Sequence, residues 1–271
     1  MGGYPHGCNR EKTWQNIPSG ETITEYLSTY ICISVNTVRT VSDTKRVFYS
    51  AHTHPINSIY RRVVDELMVE MHLLTVNRYF VYSPIYALGV VTTFDRFMQG
   101  YRPEADVTSI FNALCAAVGG DATQYRQDAA QLQSSLAGVT AEQLAKAEVG
   151  GACGDALNVV RHAAQFKYTR LFAIGLYTLL EQIDPAASQD NEKRQAILGE
   201  LATTLNLSGE RIEKDLEIYR GNLEKMAQAQ QAIADTIAAE RKRREQREQE
   251  KQSGSAAAPL GESPDAADSA S

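Results

Sequence analysis

His52-Thr53-His54 is the arrangement with the most obvious chemistry, because two imidazoles flanking one residue can share a metal ion on an extended backbone. On a helix, positions two apart do not face each other. No further His, Cys or acid stands at a matching spacing, so the pair reads as a loop-to-helix junction. Glu66, Glu70 and His72 approach a di-iron bundle set, which needs Glu-x-x-His; here the spacing is one residue short and no second copy occurs. Helical spacing puts Glu70 on the flank of an apolar stripe and His72 on the polar side. A part-desolvated carboxylate requires a cation, so Glu70 is expected in a structural ion pair with Arg96 or Arg102, of which Arg96 is preferred. Arg61 with Asp65 and Arg62 with Glu66 read as i, i+4 surface pairs.

Other catalytic signatures do not appear: the sequence has no G-x-S-x-G, no phosphate-binding loop and no dinucleotide fingerprint. Cys8, Cys32, Cys115 and Cys153 are scattered without a C-x-x-C pair, which suits a reducing compartment. Cys115 follows Leu114 in an apolar stretch and reads as a small buried thiol. Gly119-Gly120 and Gly150-Gly151 read as helix ends. The basic run Arg241, Lys242, Arg243, Arg244 is interleaved with Glu240, Glu245, Glu248 and Glu250. It reads as a solvated helix stitched by i, i+4 pairs, with an acidic partner or membrane surface as the functional alternative.

The chain of 271 residues carries a formal charge of −6, so no global field favours nucleic acid. No run reaches the ~20 apolar residues of a membrane-spanning helix; the longest, Leu171 to Leu180, is bounded by Arg170 and Glu181. The first residues lack the pattern of a secretory signal, and Glu11, Glu21 and Glu25 argue against a plastid transit peptide.

The elements that must position these residues are helical. Residues 1–34 are rich in Gly and Pro and are expected to be a non-native or disordered extension; residues 35–206 form a helical bundle. Ser42 and Pro55 mark helix starts. Ile56, Ile59, Tyr60, Val63, Val64, Leu67, Met71 and Leu74 form one apolar stripe. Ser83-Pro84 opens a helix, apolar nearly all round to Met98, that should be the buried centre. Asp121 with Gln124 and Thr140 with Gln143 carry capping-box signatures, and Asp184-Pro185 ends a helical stretch begun at Asp155. Only Arg78 to Tyr82 hints at strand alternation. The fold class is all-α.

Residues 207–252 form one long helix, from Ser208 to about Gln252. Its Ile212, Leu216, Tyr219, Leu223, Met226, Gln230, Ile233 and Ile237 alternate spacings of four and three, a heptad seam broken only at Gln230. The seam packs on its own bundle or on a partner helix; both readings stay open. Beyond Ile237 the seam positions are charged and should project. Residues 253–271 are too polar to order themselves.

Val38-Arg-Thr-Val-Ser-Asp-Thr-Lys-Arg, Pro55-Ile-Asn-Ser-Ile-Tyr-Arg-Arg, Glu70-Met-His-Leu-Leu, Tyr86-Ala-Leu-Gly-Val-Val-Thr-Thr-Phe-Asp-Arg-Phe-Met-Gln-Gly-Tyr, Ile110-Phe-Asn-Ala-Leu-Cys and Tyr125-Arg-Gln-Asp occur in this order. Together they resemble the thylakoid formation protein family, the photosystem II biogenesis proteins of cyanobacteria and plastids, from about Val35 to Glu250. The resemblance implies a helical fold with a long C-terminal helix and a non-enzymatic factor in thylakoid organisation and photosystem II assembly and repair. It also implies binding and maintenance of the thylakoid FtsH protease, peripherally, on the cytoplasmic side of a cyanobacterial thylakoid. Bacterial members begin near the position of Val35, so Met1 to Ser34 is expected to be an upstream extension.

The expected partner surface is Leu216, Tyr219, Leu223, Met226, Ile233 and Ile237 with Arg241, Lys242, Arg243 and Arg244, meeting the protease or photosystem II subunits. No cofactor, metal, nucleic acid or small-molecule substrate is expected. The competing readings are a pigment- or metal-binding carrier using His52, His54 or His72, and a self-assembling structural coiled coil.

Overall fold

The computed structural model describes residues 39–255, which form helices and no strand. In chain order these are α1 (Val41–Ala51), α2 (Ser58–Thr75), α3 (Pro84–Phe97), α4 (Ala105–Ala117), α5 (Ala122–Ser134), α6 (Ala141–Ala145), α7 (Gly151–His162), α8 (Arg170–Ile183), α9 (Pro185–Gln189), α10 (Asn191–Thr204) and α11 (Gly209–Ser255). From Val41 on they belong to one compact unit, α11 included. The expectations for Met1–Ser34, Cys8 and Cys32, and for the tail beyond Ser255, lie outside the described residues; α11 itself runs three residues past the expected Gln252.

Short polar side chains start most of these helices by satisfying backbone N–H groups that have no intrahelical partner. Ser83 accepts from the Tyr86 N–H with Pro84 in the first turn, Thr169 caps α8 and Asp190 caps α10. Thr140 and Gln143 form the full reciprocal box of α6. Asp184 ends α8 and caps α9.

Four local expectations are corrected. α1 starts at Val41, so Ser42 lies within it. α2 starts at Ser58 and not at Pro55, because the Asn57 side chain accepts from the Ile59 N–H and takes over the cap. Asp121 caps Thr123, but the Gln124 amide reaches forward to Asp128 at 3.0 Å, so that box is half formed. Arg78–Tyr82 is a loop turned by Asn77, whose Oδ1 accepts from the Tyr79 N–H at 3.0 Å.

The centre is α3 against α8, both apolar nearly all round and buried along most of their length. Gly89 and Gly175 let the backbones touch. A Cβ on Gly89 would stand 1.7 Å from the Leu171 carbonyl oxygen, and one on Gly175 2.1 Å from that of Ile85. Further along both helices Arg96 bonds Glu181, so the two run in the same direction. α5, α2 and α7 pack on α3; α9, α11 and α6 pack on α8; α1 covers α4, and α10 bridges α6 and α11. Cys115 and Cys153 are buried in this core, where burial raises their thiols to about 12 and about 11.

The close crossing yields a measurable asymmetry between glycines. Gly89→Ala and Gly175→Ala must push the backbones apart and should each cost at least ~3 kcal/mol in urea unfolding, the upper range for core overpacking. Gly221→Ala in α11, where a Cβ meets nothing within 4 Å, should instead stabilise by up to about 1 kcal/mol from helix propensity.

Candidate interaction surface

α11 has two physically different halves. Ile212, Leu216, Tyr219 and Met226 are buried in the core and Leu223 is packed against it. Polar clasps fix the same half. The Tyr168 hydroxyl donates to Asp215 at 2.7 Å, and the Arg211 guanidinium lies 4.7 Å over the Tyr168 ring. Arg194, itself buried, reaches Glu213 at 2.7 Å. Burial also pushes the Tyr219 hydroxyl up to about 12, with Arg96 pulling it back. Gln230, which breaks the seam in the sequence, is the last clasp: its amide donates to the Gln99 carbonyl at 2.7 Å and to the Tyr60 hydroxyl at 3.3 Å.

Beyond Gln230 every described side chain is exposed through Gln249. Burial against the body therefore stops one heptad short of the expected end at Ile237: Ile233 is 41% and Ile237 63% exposed. The geometry thus splits the ten expected partner-binding residues. Leu216, Tyr219, Leu223 and Met226 face their own bundle; Ile233, Ile237, Arg241, Lys242, Arg243 and Arg244 are free of it. Arg241 pairs with Glu245 and Arg244 with Glu240, both at 2.9 Å. Lys242 and Arg243 enter no ion pair among the described residues: their i±4 neighbours are Ala238, Ala239, Gln246 and Arg247, and the acids three positions away, Glu245 and Glu240, are taken by Arg241 and Arg244.

The ion pair expected between Glu70 and Arg96 is not formed. Glu70 pairs with Arg170 at 2.5 Å, Arg96 with Glu181, and Arg102 with Glu104 at 3.0 Å. Because α3 runs parallel to α8, its Arg96 meets the far end of that helix. Residues 170 and 181 are about 16 Å apart along α8. Glu70 is part-buried, as expected, and burial raises its carboxyl while Arg170 opposes the rise. On the outer face Arg62–Glu66 forms at 2.9 Å, but Asp65 faces Lys45 in place of Arg61, at 3.6 Å. Arg170, Glu70, Arg62 and Lys225 rim a groove of about 480 Å³ between α2, α8 and α11, floored by Leu67, Phe97, Ile174 and Met226.

The histidines fall into separate settings. His52 and His54 lie between α1 and α2, their ring centroids 5.6 Å apart; His52 Nδ1 meets Ser109 Oγ at 3.0 Å and His54 Nδ1 meets Asp106 at 3.0 Å. His72 is buried and not on the polar side as expected, because α1 covers that side and sets Thr44 Oγ1 2.9 Å from its Nδ1. Among the described residues no three His, Cys, Asp or Glu side chains gather around one point. What the sequence reading missed lies at the end of α2 and in the loop before α3, where Leu73, Val76, Tyr79, Val81 and Tyr82 are exposed; the alternation at Arg78–Tyr82 was its signal.

Residues 40–248 match the family described as thylakoid formation protein. The chain belongs to the thylakoid formation protein family. Protein Thf1 of Gloeothece citriformis is 54% identical over 217 residues, spanning 77% of this chain and 96% of that protein. Protein Thf1 of Nostoc punctiforme is 54% identical over 219 residues, 78% of this chain and 93% of that one. The solved structure of Psb29, at 1.55 Å, superposes with a TM-score of 0.65 at 44% identity, covering 76% of this chain and 98% of that one. The Psb29 structure thus shares this helical body, and among the described residues no helix is long and apolar enough to cross a membrane.

Two measurements check the division of α11 and the buried junction. Leu216→Ala should cost about 2–5 kcal/mol, whereas Ile237→Ala should stay within about 0.5 kcal/mol. Burial lowers the proton affinity of His52, so the unfolded chain binds the proton more readily. Its contribution is complete above the unfolded pKa of about 6.5 and is lost as pH falls through the lower folded value. Thermal unfolding of His52→Gln should accordingly fall less steeply between neutral and mildly acidic pH than that of the parent; parallel profiles would remove His52 as the source.

Proposed function

We propose that this chain is a non-catalytic accessory factor of thylakoid biogenesis and photosystem II assembly and repair, which binds and maintains the thylakoid FtsH protease through the free half of α11. It acts as a peripheral protein on the cytoplasmic side of the membrane. Family membership supports the thylakoid setting, and the observation that carries the binding reading is the run of exposed side chains after Gln230. A helix anchored over one half and bare over the other presents Ile233, Ile237, Lys242 and Arg243 without having to fold on binding, which lowers the entropic cost of association. The two unpaired cations suit an acidic surface and would speed encounter with it.

Pairing of two copies through the same isoleucines is favoured by their exposure. Yet after Gln230 the seam offers only Ile233 and Ile237 before Glu240 and Arg244, far less than the three or four heptads that sustain a coiled coil.

Co-purification from solubilised thylakoids tests the proposal, comparing the full chain with one ending at Gln230, which keeps every clasp to the body. The shortened chain should stay folded and lose the protease and photosystem II subunits. Lys242→Glu with Arg243→Glu should lower their recovery on the order of tenfold at low salt. Retention of the same partners by the shortened chain would show that α11 is not the docking element.

A further inference from the structure

Between Glu70 and Asp95 the sequence contains no Asp or Glu, in a chain that holds 33 of them. Within this acid-free span lies the edge formed by the last turn of α2 and the loop before α3, where Leu73, Val76, Tyr79, Val81 and Tyr82 are exposed. Scattered apolar residues on a surface are ordinary, but so many on one short edge mark an interaction site.

The loop is held in this shape by its own contacts. Asn77 turns the chain, accepting from Tyr79 through its side chain and from the Phe80 N–H through its carbonyl, each at 3.0 Å. Phe80 turns inward onto Tyr86, ring centroids 4.9 Å apart. The Tyr82 hydroxyl donates to Asp128 at 2.7 Å. Phe80 and Tyr82 are tied to the body, while Tyr79, at the corner of the turn, and Val81 are left exposed, Val81 by 53%. The Arg78 guanidinium lies 4.7 Å over the Tyr79 ring.

We propose that this edge docks on an anionic lipid bilayer, inserting Tyr79 and Val81 at the headgroup–acyl boundary with Arg78 against an anionic headgroup. Tyrosine and arginine suit that depth because each has an apolar body and a polar tip. The missing carboxylates matter equally: residues 71–94 carry no negative charge, and the Asp128 carboxylate beside them is held by the Tyr82 hydroxyl. The inference does not rest on the protease reading, since the edge lies at the C-terminal end of α2 and α11 leaves the body beside Tyr60 near its N-terminal end.

The test is co-sedimentation of the full-length protein with vesicles of phosphatidylcholine alone or mixed in equal parts with phosphatidylglycerol. The parent should bind the mixed vesicles. Tyr79→Ser with Val81→Ser, its fold checked by unchanged thermal unfolding, should bind roughly tenfold or more weakly. Arg78→Gln should lose about fivefold on the mixed vesicles alone. Ile233→Ser with Ile237→Ser should bind as the parent does. In Tyr79→Trp, emission above the Trp14 background should be quenched by lipids brominated on the acyl chains. Failure of the parent to bind either vesicle, equal binding by the serine variant, or no added quenching would each overturn the proposal. If the parent ignores vesicles while the serine variant loses thylakoid proteins in co-purification, the edge serves a protein instead. None of these outcomes bears on the chain ending at Gln230, so the two readings fail separately.

Discussion

Where Gly89 meets Leu171 and Gly175 meets Ile85, the backbones of α3 and α8 approach so closely that no side chain fits between them. Everything else is arranged around that crossing. With two apolar helices side by side and pointing the same way, their capped N-termini, at Ser83 and Thr169, lie at one end of the body. Both caps are buried, so their hydroxyls replace water that cannot reach those N–H groups. The same direction brings the arginine near the end of α3 to Glu181, and leaves the start of α8 to supply Arg170 to Glu70.

How much of this was legible follows the range of each interaction. Ser83-Pro84 and the Thr140–Gln143 box are local, and the sequence announces them. The all-round apolar character of α3 is equally plain, and it correctly marks the centre. What the pattern cannot show is the other side of a contact. Glu70 sits on the expected flank, but its cation is a hundred positions away, and only the direction of α8 selects it over Arg96. His72 looks polar on a helical wheel because the wheel does not know that α1 covers that side and presents Thr44.

The seam of α11 shows the same limit in another form. Ile212 to Met226 and Ile233 to Ile237 share one period, yet the first stretch is buried by the body and the second is exposed among the described residues. Periodicity reports that a face is apolar and leaves its occupant unnamed. Gln230 was legible as an interruption, and its meaning came from the acceptors it finds, the Gln99 carbonyl and the Tyr60 hydroxyl. The polar break is the point at which the helix stops belonging to the bundle.

That break also accounts for how an exposed helix persists. Helix formation is costly to nucleate and cheap to extend, and the buried half of α11 supplies the nucleus, so the free half only has to propagate. Its composition suits that task, with alanines and i, i+4 pairs such as Arg244–Glu240 and Arg241–Glu245. From Ile233 to Ser255 it extends roughly 33 Å, and α2 places about 22 Å between its point of exit beside Tyr60 and the acid-free edge. α11 runs antiparallel to α2, since Asp215 lies near Tyr168 at the start of α8 and Gln230 near Tyr60. A body held to a bilayer by the edge would therefore direct the free helix away from the lipid. Its unpaired Lys242 and Arg243 would then meet whatever stands above the membrane and not the headgroups themselves.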